Sequence, residues 1–279
     1  MDRYAVVGHP VEHSRSPRIH QLFAEQTGQT LSYTRLLAPL DGFTATVRAF
    51  AADGARGCNV TMPFKAEAWE LAVRRSPRAE RALAANTLRF DAEGWWADNT
   101  DGAGLVRDLT VNAGVALAGQ RLLLLGAGGA AAGVLGPLIE AGLAEIVVAN
   151  RTAARAEALV ARHAELAAQQ GVRLRAHGLE GLAEVGFDLL VNGTATSLQA
   201  GAMPIPTGLL RPGALALDMA YGAPARSFIA WSEAQGARGR DGLGMLVEQA
   251  AESFFAWRGL RPDTAPVLAL LRREVDGTA

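Results

Sequence analysis

A run of apolar residues that leads directly into a glycine-rich segment constrains the fold of this chain more than any other feature. Residues 120–125 read Gln-Arg-Leu-Leu-Leu-Leu, which is typical of a strand buried on both faces of a parallel sheet. Gly126-Ala127-Gly128-Gly129-Ala130-Ala131 follows, and apolar residues then recur at helical spacing. A strand, a G-x-G-x-x-A turn and a helix in this order are typical of the loop that binds the pyrophosphate of a dinucleotide. The sequence therefore predicts a parallel, Rossmann-type sheet.

Physical constraints explain the residue type at three positions of this turn. Gly126 permits the tight turn, Gly128 lets a pyrophosphate approach the backbone, and Ala131 allows the helix to pack closely on the strand. The helix N-terminus presents free N–H groups and a positive dipole end, which favour a phosphate. The predicted cofactor-binding loop consists of Gly126, Ala127, Gly128, Gly129 and Ala130.

The end of the next predicted strand indicates which dinucleotide is bound. This strand covers residues 145–149, and Asn150, Arg151 and Thr152 follow it, with Arg155 one helical turn later. An NAD site normally places a carboxylate here for the ribose 2′-hydroxyl, whereas cationic and hydroxyl side chains suit a 2′-phosphate. The cluster therefore favours NADP over NAD, although Arg155 alone is also compatible with a solvated helix face.

Two further predicted strands extend this sheet, at residues 187–192 and 214–219. The first ends in Gly193-Thr194-Ala195-Thr196-Ser197 and the second in Ala220-Tyr221, so both deliver small or hydrogen-bonding residues. Ligands of open α/β sheets lie outside the carboxyl ends of the strands. We therefore expect the nicotinamide half of the dinucleotide near these residues.

The first hundred residues alternate between predicted strands and helices, which indicates a second α/β domain with at least partly parallel strands. Before the first helix, Ser14 and Ser16 present two hydroxyls that suit a carboxylate or a hydroxyl-rich ligand. Ser16 is equally explained as the N-cap of a helix that begins at Pro17. Residues 86–98 predict a β-hairpin. The apolar helices at the C-terminus are expected to dock on this domain.

Lys65 is the only lysine of the chain, since every other residue among the 27 lysines and arginines is an arginine. An ammonium can donate a proton and a guanidinium in practice cannot, so one retained lysine suggests a place where arginine would not serve. Lys65 follows the predicted strand at residues 57–60, and strand ends are where such sheets bind ligands. Chance survival of one surface lysine is the alternative interpretation.

Asp101 follows the predicted hairpin, in the run Asn99-Thr100-Asp101-Gly102. Two interpretations are open. Asp101 is either the N-cap of the next helix or a carboxylate that faces Lys65 across a cleft. A Lys–Asp pair in a cleft would form a proton-transfer unit, because each group changes the proton affinity of the other.

Composition and charge exclude several classes of protein. The net charge is −1 and the pI is about 6.5, so the chain has no basic surplus for a nucleic-acid partner. The single cysteine, Cys58, excludes an internal disulfide and fits a reducing compartment. No signal peptide or membrane span is recognisable, and we expect a soluble, cytoplasmic protein. His9, His13 and His20 lack acidic or cysteine partners at metal-ligand spacing, so no metal site is predicted.

Several motifs occur together in an order that is far more specific than any one of them. The chain resembles the shikimate/quinate dehydrogenase family along nearly its full length. The residues that carry the resemblance are Ser14-Arg15-Ser16-Pro17, Asn59-Val60-Thr61-Met62-Pro63-Phe64-Lys65, Asn86-Thr87, Asn99-Thr100-Asp101-Gly102, Gly126-Ala127-Gly128-Gly129-Ala130, Asn150-Arg151-Thr152, and Asp241-Gly242-Leu243-Gly244-Met245-Leu246 with Gln249. Two segments depart from the family pattern, at residues 192–197, where the family usually reads Asn-Ala-Thr-Ser, and at residues 222–226.

The resemblance implies a reversible, NADPH-dependent reduction of 3-dehydroshikimate to shikimate. It also implies that Lys65 and Asp101 are the catalytic pair. The implied substrate-binding residues are Ser14, Ser16, Thr61, Asn86, Tyr221 and Gln249. Besides the glycine loop and the cluster at residues 150–155, the implied cofactor-binding residues are Thr194, Met219, Gly242 and Met245.

The domain organisation also follows from the resemblance. Residues 1–101 and 243–279 are expected to form a substrate-binding and catalytic domain, and residues 102–242 an NADP-binding Rossmann domain, with a cleft between them. The expected partners are small molecules, and the expected assembly is a monomer or a homodimer. The alternatives are an enzyme that prefers quinate or NAD and a catalytically silent NADP-binding protein. A silent protein would be expected to lack Lys65 or Asp101, and both are present.

Overall fold

Two six-stranded sheets organise the residues that the computed structural model describes, which are 1–180, 182, 185–194 and 205–277. The first sheet uses strands from the N-terminal hundred residues, and the second uses strands between Arg121 and Arg240. Two C-terminal helices then return to pack on the first helix of the chain. The two-domain α/β fold with a Rossmann-type sheet, which the sequence predicts, is confirmed.

The first sheet is mixed. Its strands are β1 (Asp2–Gly8), β2 (Leu31–Leu37), β3 (Gly57–Val60), β4 (Arg74–Arg75), β5 (Thr87–Arg89) and β6 (Trp96–Asp98). The helices between them are α1 (Ser16–Thr27), α2 (Phe43–Ala52), α3 (Lys65–Leu71) and α4 (Pro77–Ala82). In space the strands follow the order β2-β1-β3-β5-β6-β4. β1 is parallel to β2 and β3, whereas β5 is antiparallel to β3 and β6, so the predicted hairpin is present.

The second sheet is parallel throughout. Its strands are β7 (Arg121–Leu125), β8 (Glu145–Asn150), β9 (Arg173–Gly178), β10 (Phe187–Asn192), β11 (Leu210–Asp218) and β12 (Arg238–Arg240). The helices of this region are α5 (Asp101–Arg107), which a π-helical turn (Asp108–Asn112) continues, α6 (Gly129–Glu140), α7 (Ala153–Gln169) and α8 (Arg226–Ala234). The spatial order is β12-β11-β10-β7-β8-β9, so β8 and β9 are added on one side of β7, and β10, β11 and β12 on the other, which makes the β7–β10 boundary the topological switch point. A ligand of such a sheet binds at this switch point.

The apolar run that precedes the glycine loop is buried on both faces of the second sheet. Leu122 and Leu124 belong to the hydrophobic core that includes Leu138 of α6. Leu123 and Leu125 belong to the core on the opposite face. Because side chains of a strand alternate between faces, four consecutive leucines supply both cores from one strand.

The last two helices share a hydrophobic core with the first helix of the chain. They are α9 (Leu243–Arg258) and α10 (Ala265–Asp276). Ile19 and Phe23 of α1 share a hydrophobic core with Val247 and Phe254 of α9 and with Leu271 of α10. No helix of the described residues is long and apolar enough to span a bilayer.

An ion pair between the buried Asp241 and the partly exposed Arg272 connects the end of the second sheet to α10. Arg272 donates to both carboxylate oxygens of Asp241, at 2.9 and 2.5 Å, and Asp241 also accepts from the backbone N–H of Gly222 at 3.0 Å. Burial alone would raise the pKa of Asp241, but these donors outweigh burial and hold the pKa below its usual value. The segment around Gly222, which departs from the family pattern, is therefore anchored to the C-terminal helix.

Two helices begin one residue away from the predicted position. Arg15 and Thr100 are the cap residues of α1 and α5, and both already have backbone angles of the helical region. The prediction that Ser16 is an N-cap is therefore wrong, because Ser16 is the first helical residue. Its N–H donates instead to Ser14 Oγ at 3.3 Å. Asp101 is likewise the first residue of α5 and not its cap, which leaves its carboxylate free for another partner.

His20 makes the fold sensitive to acid. Its ring is fully buried and stacks on Tyr33 with centroids 4.2 Å apart. Burial lowers its pKa to about 3, and Asn59 offsets this only in part. Because the folded pKa lies below the unfolded one, the unfolded chain binds the proton first, and stability falls as the pH falls below about 6.5.

We expect His20 to contribute a loss of about 1.4 kcal/mol in the free energy of unfolding per pH unit over this acid range. The His20→Phe variant keeps an aromatic ring on Tyr33 and should show a shallower pH dependence than the wild type. Urea titrations from about pH 7 to about pH 5 measure this slope. A variant slope equal to that of the wild type would contradict the assignment. His13→Phe, which replaces an exposed ring, serves as the control.

Candidate active site

Lys65 and Asp101 meet at the C-terminal end of β3. Lys65 is the first residue of α3, one short turn after β3, and its Nζ forms an ion pair with Asp101 Oδ2. Their side chains are 19% and 8% exposed. The two residues are 36 positions apart, and the antiparallel β3–β5–β6 arrangement brings them together. Of the two interpretations of Asp101, the carboxylate that faces Lys65 is the one present in the structure.

Asn86 holds the other oxygen of Asp101. Its Nδ2 donates to Asp101 Oδ1 at 2.7 Å, and its Oδ1 accepts from the backbone N–H of Thr100 at 2.9 Å. Asn86 itself is placed by the sheet, because its carbonyl accepts from the N–H of Val60 at 2.8 Å. Both Asp101 oxygens are thus bonded, one to Lys65 and one to Asn86. This arrangement fixes the direction in which Lys65 points.

Gln249 of α9 joins the same cluster. Its Oε1 accepts from Asn86 Nδ2 at 3.2 Å and from Thr100 Oγ1 at 3.3 Å. One turn later, the buried Ser253 hydroxyl lies 2.8 Å from Thr87 Oγ1 and accepts from Asn59 Nδ2 at 2.9 Å. No motif of the sequence indicated Ser253. Its spacing of four residues from Gln249 places both on one helix face and could have indicated it.

None of the remaining predicted substrate-binding residues bonds to Lys65 or Asp101 within the described part of the chain. Ser16 is buried beside the Tyr33 hydroxyl, which donates to Asn59 Oδ1 at 2.7 Å. Thr61 lies at the end of β3, where its N–H donates to Val7 O at 2.9 Å.

Ser14 belongs to the loop before α1, and Tyr221, which follows a strand of the second sheet, lies beside Arg15 of this loop. Arg35 Nη2 donates to the Ser14 carbonyl at 2.7 Å, which fixes the loop before α1. Burial raises the pKa of Tyr221, and the neighbouring charge and backbone of Arg15 lower it in part. Tyr221 therefore lies against the Ser14-Arg15-Ser16 loop although it follows a strand of the second sheet.

The glycine loop fits a pyrophosphate. Gly126 has φ +101, and a Cβ there would come within 3.1 Å of Gly193 O, so the position requires glycine. A Cβ on Gly128 or Gly129 would meet nothing within 4 Å, which leaves the backbone open to a ligand. The first turn of α6 has no acidic residue and no side-chain cap. The free N–H groups at this helix end therefore suit an anion, while Ala131 is buried against the sheet as expected.

The end of β8 presents a positive, solvent-accessible cluster. Arg151, Thr152 and Arg155 are exposed, and Asn150 Nδ2 donates to the Thr152 carbonyl at 2.9 Å. Neither arginine makes an ion pair with a described residue. Both guanidinium groups are thus available to an anionic ligand beside the glycine loop.

The carboxyl ends of β10 and β11 place the other predicted cofactor-binding residues close together. Thr194 donates to Asn192 Oδ1 at 2.7 Å, and Met219 donates from its backbone N–H to Asn192 O at 3.0 Å. A Cβ on Gly242 would collide with Met219 O. Met245 is buried in the core below them. Ala195, Thr196 and Ser197, which the sequence analysis placed in the same loop, lie outside the described residues.

The described residues do not favour a metal site or a cysteine nucleophile. No group of three or more His, Cys, Asp and Glu side chains among them is arranged to hold a metal ion. Burial raises the pKa of the Cys58 thiol, which disfavours the thiolate that a nucleophile needs. The site therefore combines an ion pair, a hydrogen-bonded polar cluster and a dinucleotide-type loop.

Comparison with known proteins agrees with this geometry. Residues 6–88 match the family model described as shikimate dehydrogenase substrate binding domain, residues 109–191 match shikimate / quinate 5-dehydrogenase, and residues 242–272 match shikimate 5′-dehydrogenase C-terminal domain. The chain is 63% identical to the shikimate dehydrogenase (NADP(+)) of Methylibium petroleiphilum over 99% of this chain and 96% of that protein.

Two solved structures share the fold. An Ael1 enzyme from Pseudomonas putida is 47% identical, with a TM-score of 0.88 over 97% of this chain and 98% of that one. Shikimate 5-dehydrogenase from Thermus thermophilus, solved with NADP(H) and shikimate, is 35% identical, with a TM-score of 0.84 over 98% and 99%. Together with the family matches, this similarity shows that the chain belongs to the shikimate dehydrogenase family.

Proposed function

We propose that the chain is an NADP-dependent shikimate dehydrogenase, which reversibly reduces 3-dehydroshikimate to shikimate in the biosynthesis of chorismate and the aromatic amino acids. One observation carries the proposal. The Lys65–Asp101 ion pair and the open glycine loop occur together in a chain that is 63% identical to a shikimate dehydrogenase (NADP(+)).

The proposed chemistry assigns distinct tasks to the bound dinucleotide and to the protein. When bound, NADPH supplies a hydride to the carbonyl carbon of the substrate. Lys65 delivers a proton to the carbonyl oxygen and stabilises the negative charge that develops there. Asp101 orients the Lys65 ammonium, and Asn86 orients Asp101. In the direction of oxidation, Lys65 accepts the proton of the substrate hydroxyl.

The proposed substrate contacts come from hydroxyl and amide groups around this pair. A polyhydroxylated carboxylate is recognised by several hydrogen-bonding side chains. We assign this role to Ser14, Ser16, Thr61, Asn86, Tyr221 and Gln249. The contact of Ser14 with Arg35 and the position of Tyr221 beside Arg15 support the assignment, because residues of both domains converge on the loop before α1.

The proposed cofactor contacts follow the Rossmann pattern. The loop at residues 126–130 holds the pyrophosphate, and Asn150, Arg151, Thr152 and Arg155 hold the adenosine 2′-phosphate. Thr194, Met219, Gly242 and Met245 line the nicotinamide end. The free helix N-terminus of α6 and the exposed arginines, which have no ion pair among the described residues, support these assignments.

The domain boundaries and the cellular context belong to the same proposal. Residues 1–101 with 243–279 form the substrate-binding and catalytic domain, and residues 102–242 form the NADP-binding domain. The shared core of α1, α9 and α10 supports the assignment of the C-terminal helices to the first domain. We further propose a cytoplasmic monomer or homodimer whose ligands are small molecules.

An initial-rate assay of NADP⁺ reduction with shikimate tests the function. We expect the specificity constant for shikimate with NADP⁺ to exceed those for quinate and for NAD⁺. A higher constant with quinate or NAD⁺ would favour the alternative enzyme of the same family. A folded protein that binds NADPH but oxidises neither substrate would be a silent binding protein, and the proposal would fail.

A further inference from the structure

The cofactor-binding helix lies directly against the residues that flank Asp101. Gly133 of α6 lacks a side chain where the buried Asn99 amide approaches it. A Cβ on Gly133 would lie 2.8 Å from Asn99 Oδ1 and 2.9 Å from Asn99 Nδ2. Real Cβ atoms essentially never come this close to another heavy atom, so any side chain at position 133 must displace Asn99.

The same helix also touches the residue after Asp101. A Cβ on Gly102 would collide with the Pro137 ring and would lie 2.6 Å from Gly133 O. Residues 99 and 102 thus lie against one face of α6, on either side of Asp101 in the sequence. These two close approaches require glycine on both helices.

A hydrogen bond makes the position of Asp101 depend on that of Asn99. Its Oδ1 accepts from the Asp101 N–H at 3.2 Å, and its Nδ2 donates to the Ala84 carbonyl at 3.0 Å. Asn99 is fully buried, so its amide has little room to move without losing these partners. A displaced Asn99 must therefore shift the first residue of α5.

We infer that the contact between Gly133 and Asn99 is a positioning device, through which the helix that binds the pyrophosphate sets the place of Asp101 and thereby of Lys65. Gly133 and Asn99 are positioning residues, since neither contacts the Lys65 ammonium or the Asp101 carboxylate, and Asn99 reaches Asp101 only through the backbone N–H of Asp101. The inference rests on the proposed function in that it treats Asp101 as the partner of the catalytic lysine. It adds that one rigid contact, between Gly133 and Asn99, connects the cofactor-binding helix to the catalytic pair.

The test compares two identical substitutions in one helix. Gly133→Ala introduces the Cβ that strikes Asn99, whereas a Cβ on Gly136 meets no atom closer than 3.8 Å. Both replace a helix-interior glycine by alanine, and the gain in helix propensity is smaller at Gly136, because the following Pro137 disfavours the helical region for a residue that carries a Cβ. We expect Gly133→Ala to lower kcat by about 10–100-fold, because small displacements of catalytic groups cost rates of this order. The Kd for NADPH should stay within about twofold in both variants, and kcat should stay near the wild-type value in Gly136→Ala.

A second readout needs neither cofactor nor turnover. Lys65 carries the only ε-amine of the chain, so an amine-acylating reagent followed by peptide mass analysis reports on this residue alone. The ion pair with Asp101 shields the amine in the wild type. We expect faster acylation of Lys65 in Gly133→Ala than in the wild type and an unchanged rate in Gly136→Ala.

A double-mutant cycle covers the case in which Gly133→Ala folds poorly. Asn99→Ala alone should lower kcat and accelerate acylation, and adding Gly133→Ala should cause little further loss, because both changes act through one contact. Unchanged kcat in Asn99→Ala, a raised NADPH Kd that accounts for the whole loss in Gly133→Ala, or additive losses would each overturn the inference. A wild-type protein without shikimate activity would instead defeat the proposed function, and the acylation result would still decide whether the contact positions Lys65.

Discussion

Replacing Lys65 by alanine should lower kcat by about 10²–10⁴-fold, which is the usual contribution of general acid–base catalysis by one side chain. The loss should appear in kcat because the proton is needed only as negative charge develops on the substrate oxygen. The Kd for NADPH, measured by fluorescence titration, should stay within about twofold, since Lys65 belongs to the first domain and the glycine loop to the second.

The Lys65→Arg variant distinguishes the two proposed tasks of Lys65, which are proton transfer and stabilisation of negative charge. Arginine keeps the positive charge, but it does not release its proton at accessible pH, and its planar group is larger than an ammonium. If Lys65 both transfers a proton and holds charge, arginine should restore little of the lost kcat. Recovery to near the wild-type rate would show that charge alone is sufficient.

Glu70→Ala provides the matched control for these variants. Glu70 lies on the same helix α3 as Lys65, but it is exposed and its side chain makes no hydrogen bond or ion pair with a described residue. We expect its kcat to stay within about twofold of the wild type. If Lys65→Ala behaved like Glu70→Ala, the catalytic role of Lys65 would be refuted.

Local sequence patterns predicted the parts of the fold that depend on neighbouring residues. The leucine run before Gly126 specified a strand buried on both faces, and alternation of its side chains between two cores is the direct consequence. The exposed turn at residues 91–94, between two short apolar runs, was sufficient to predict the hairpin. The end of β8 was recognisable because Asn150 and Arg151 follow the apolar run Ile146-Val147-Val148-Ala149.

Features that depend on distant contacts could not be predicted in the same way. No spacing rule states that Lys65 and Asp101 meet, because their contact depends on the register of β3, β5 and β6. The cap of α1 was misplaced by one residue because serine is a preferred cap by residue type, whereas the backbone angles make Arg15 the cap and Ser16 the first helical residue. Gly133 looked like one more small residue until the structure placed Asn99 against it.

Replacing the two arginines at the end of β8 should have a second large effect, on the selectivity between NADP and NAD. We expect the double variant Arg151→Ala, Arg155→Ala to lose about 10–100-fold in kcat/KM for NADPH, because a hydrogen bond to a charged group contributes about 1.5–3 kcal/mol and each 1.4 kcal/mol is a factor of about ten. Activity with NADH should change little, since NADH has no 2′-phosphate for these side chains to bind. The ratio of the two kcat/KM values is the measurement.

Arg162→Ala on the same helix α7 controls for a general loss of positive charge, because Arg162 is exposed and lies almost two turns beyond Arg155.

Raising the salt concentration should reduce the preference of the wild type for NADPH more than that of the double variant, since screening weakens exposed charge pairs. Equal losses of kcat/KM with NADPH and NADH would mean that the two arginines stabilise the nucleotide domain and do not bind the 2′-phosphate. Because a glycine loop of this type binds the pyrophosphate, which the two dinucleotides share, we expect selectivity between them to come from the end of β8.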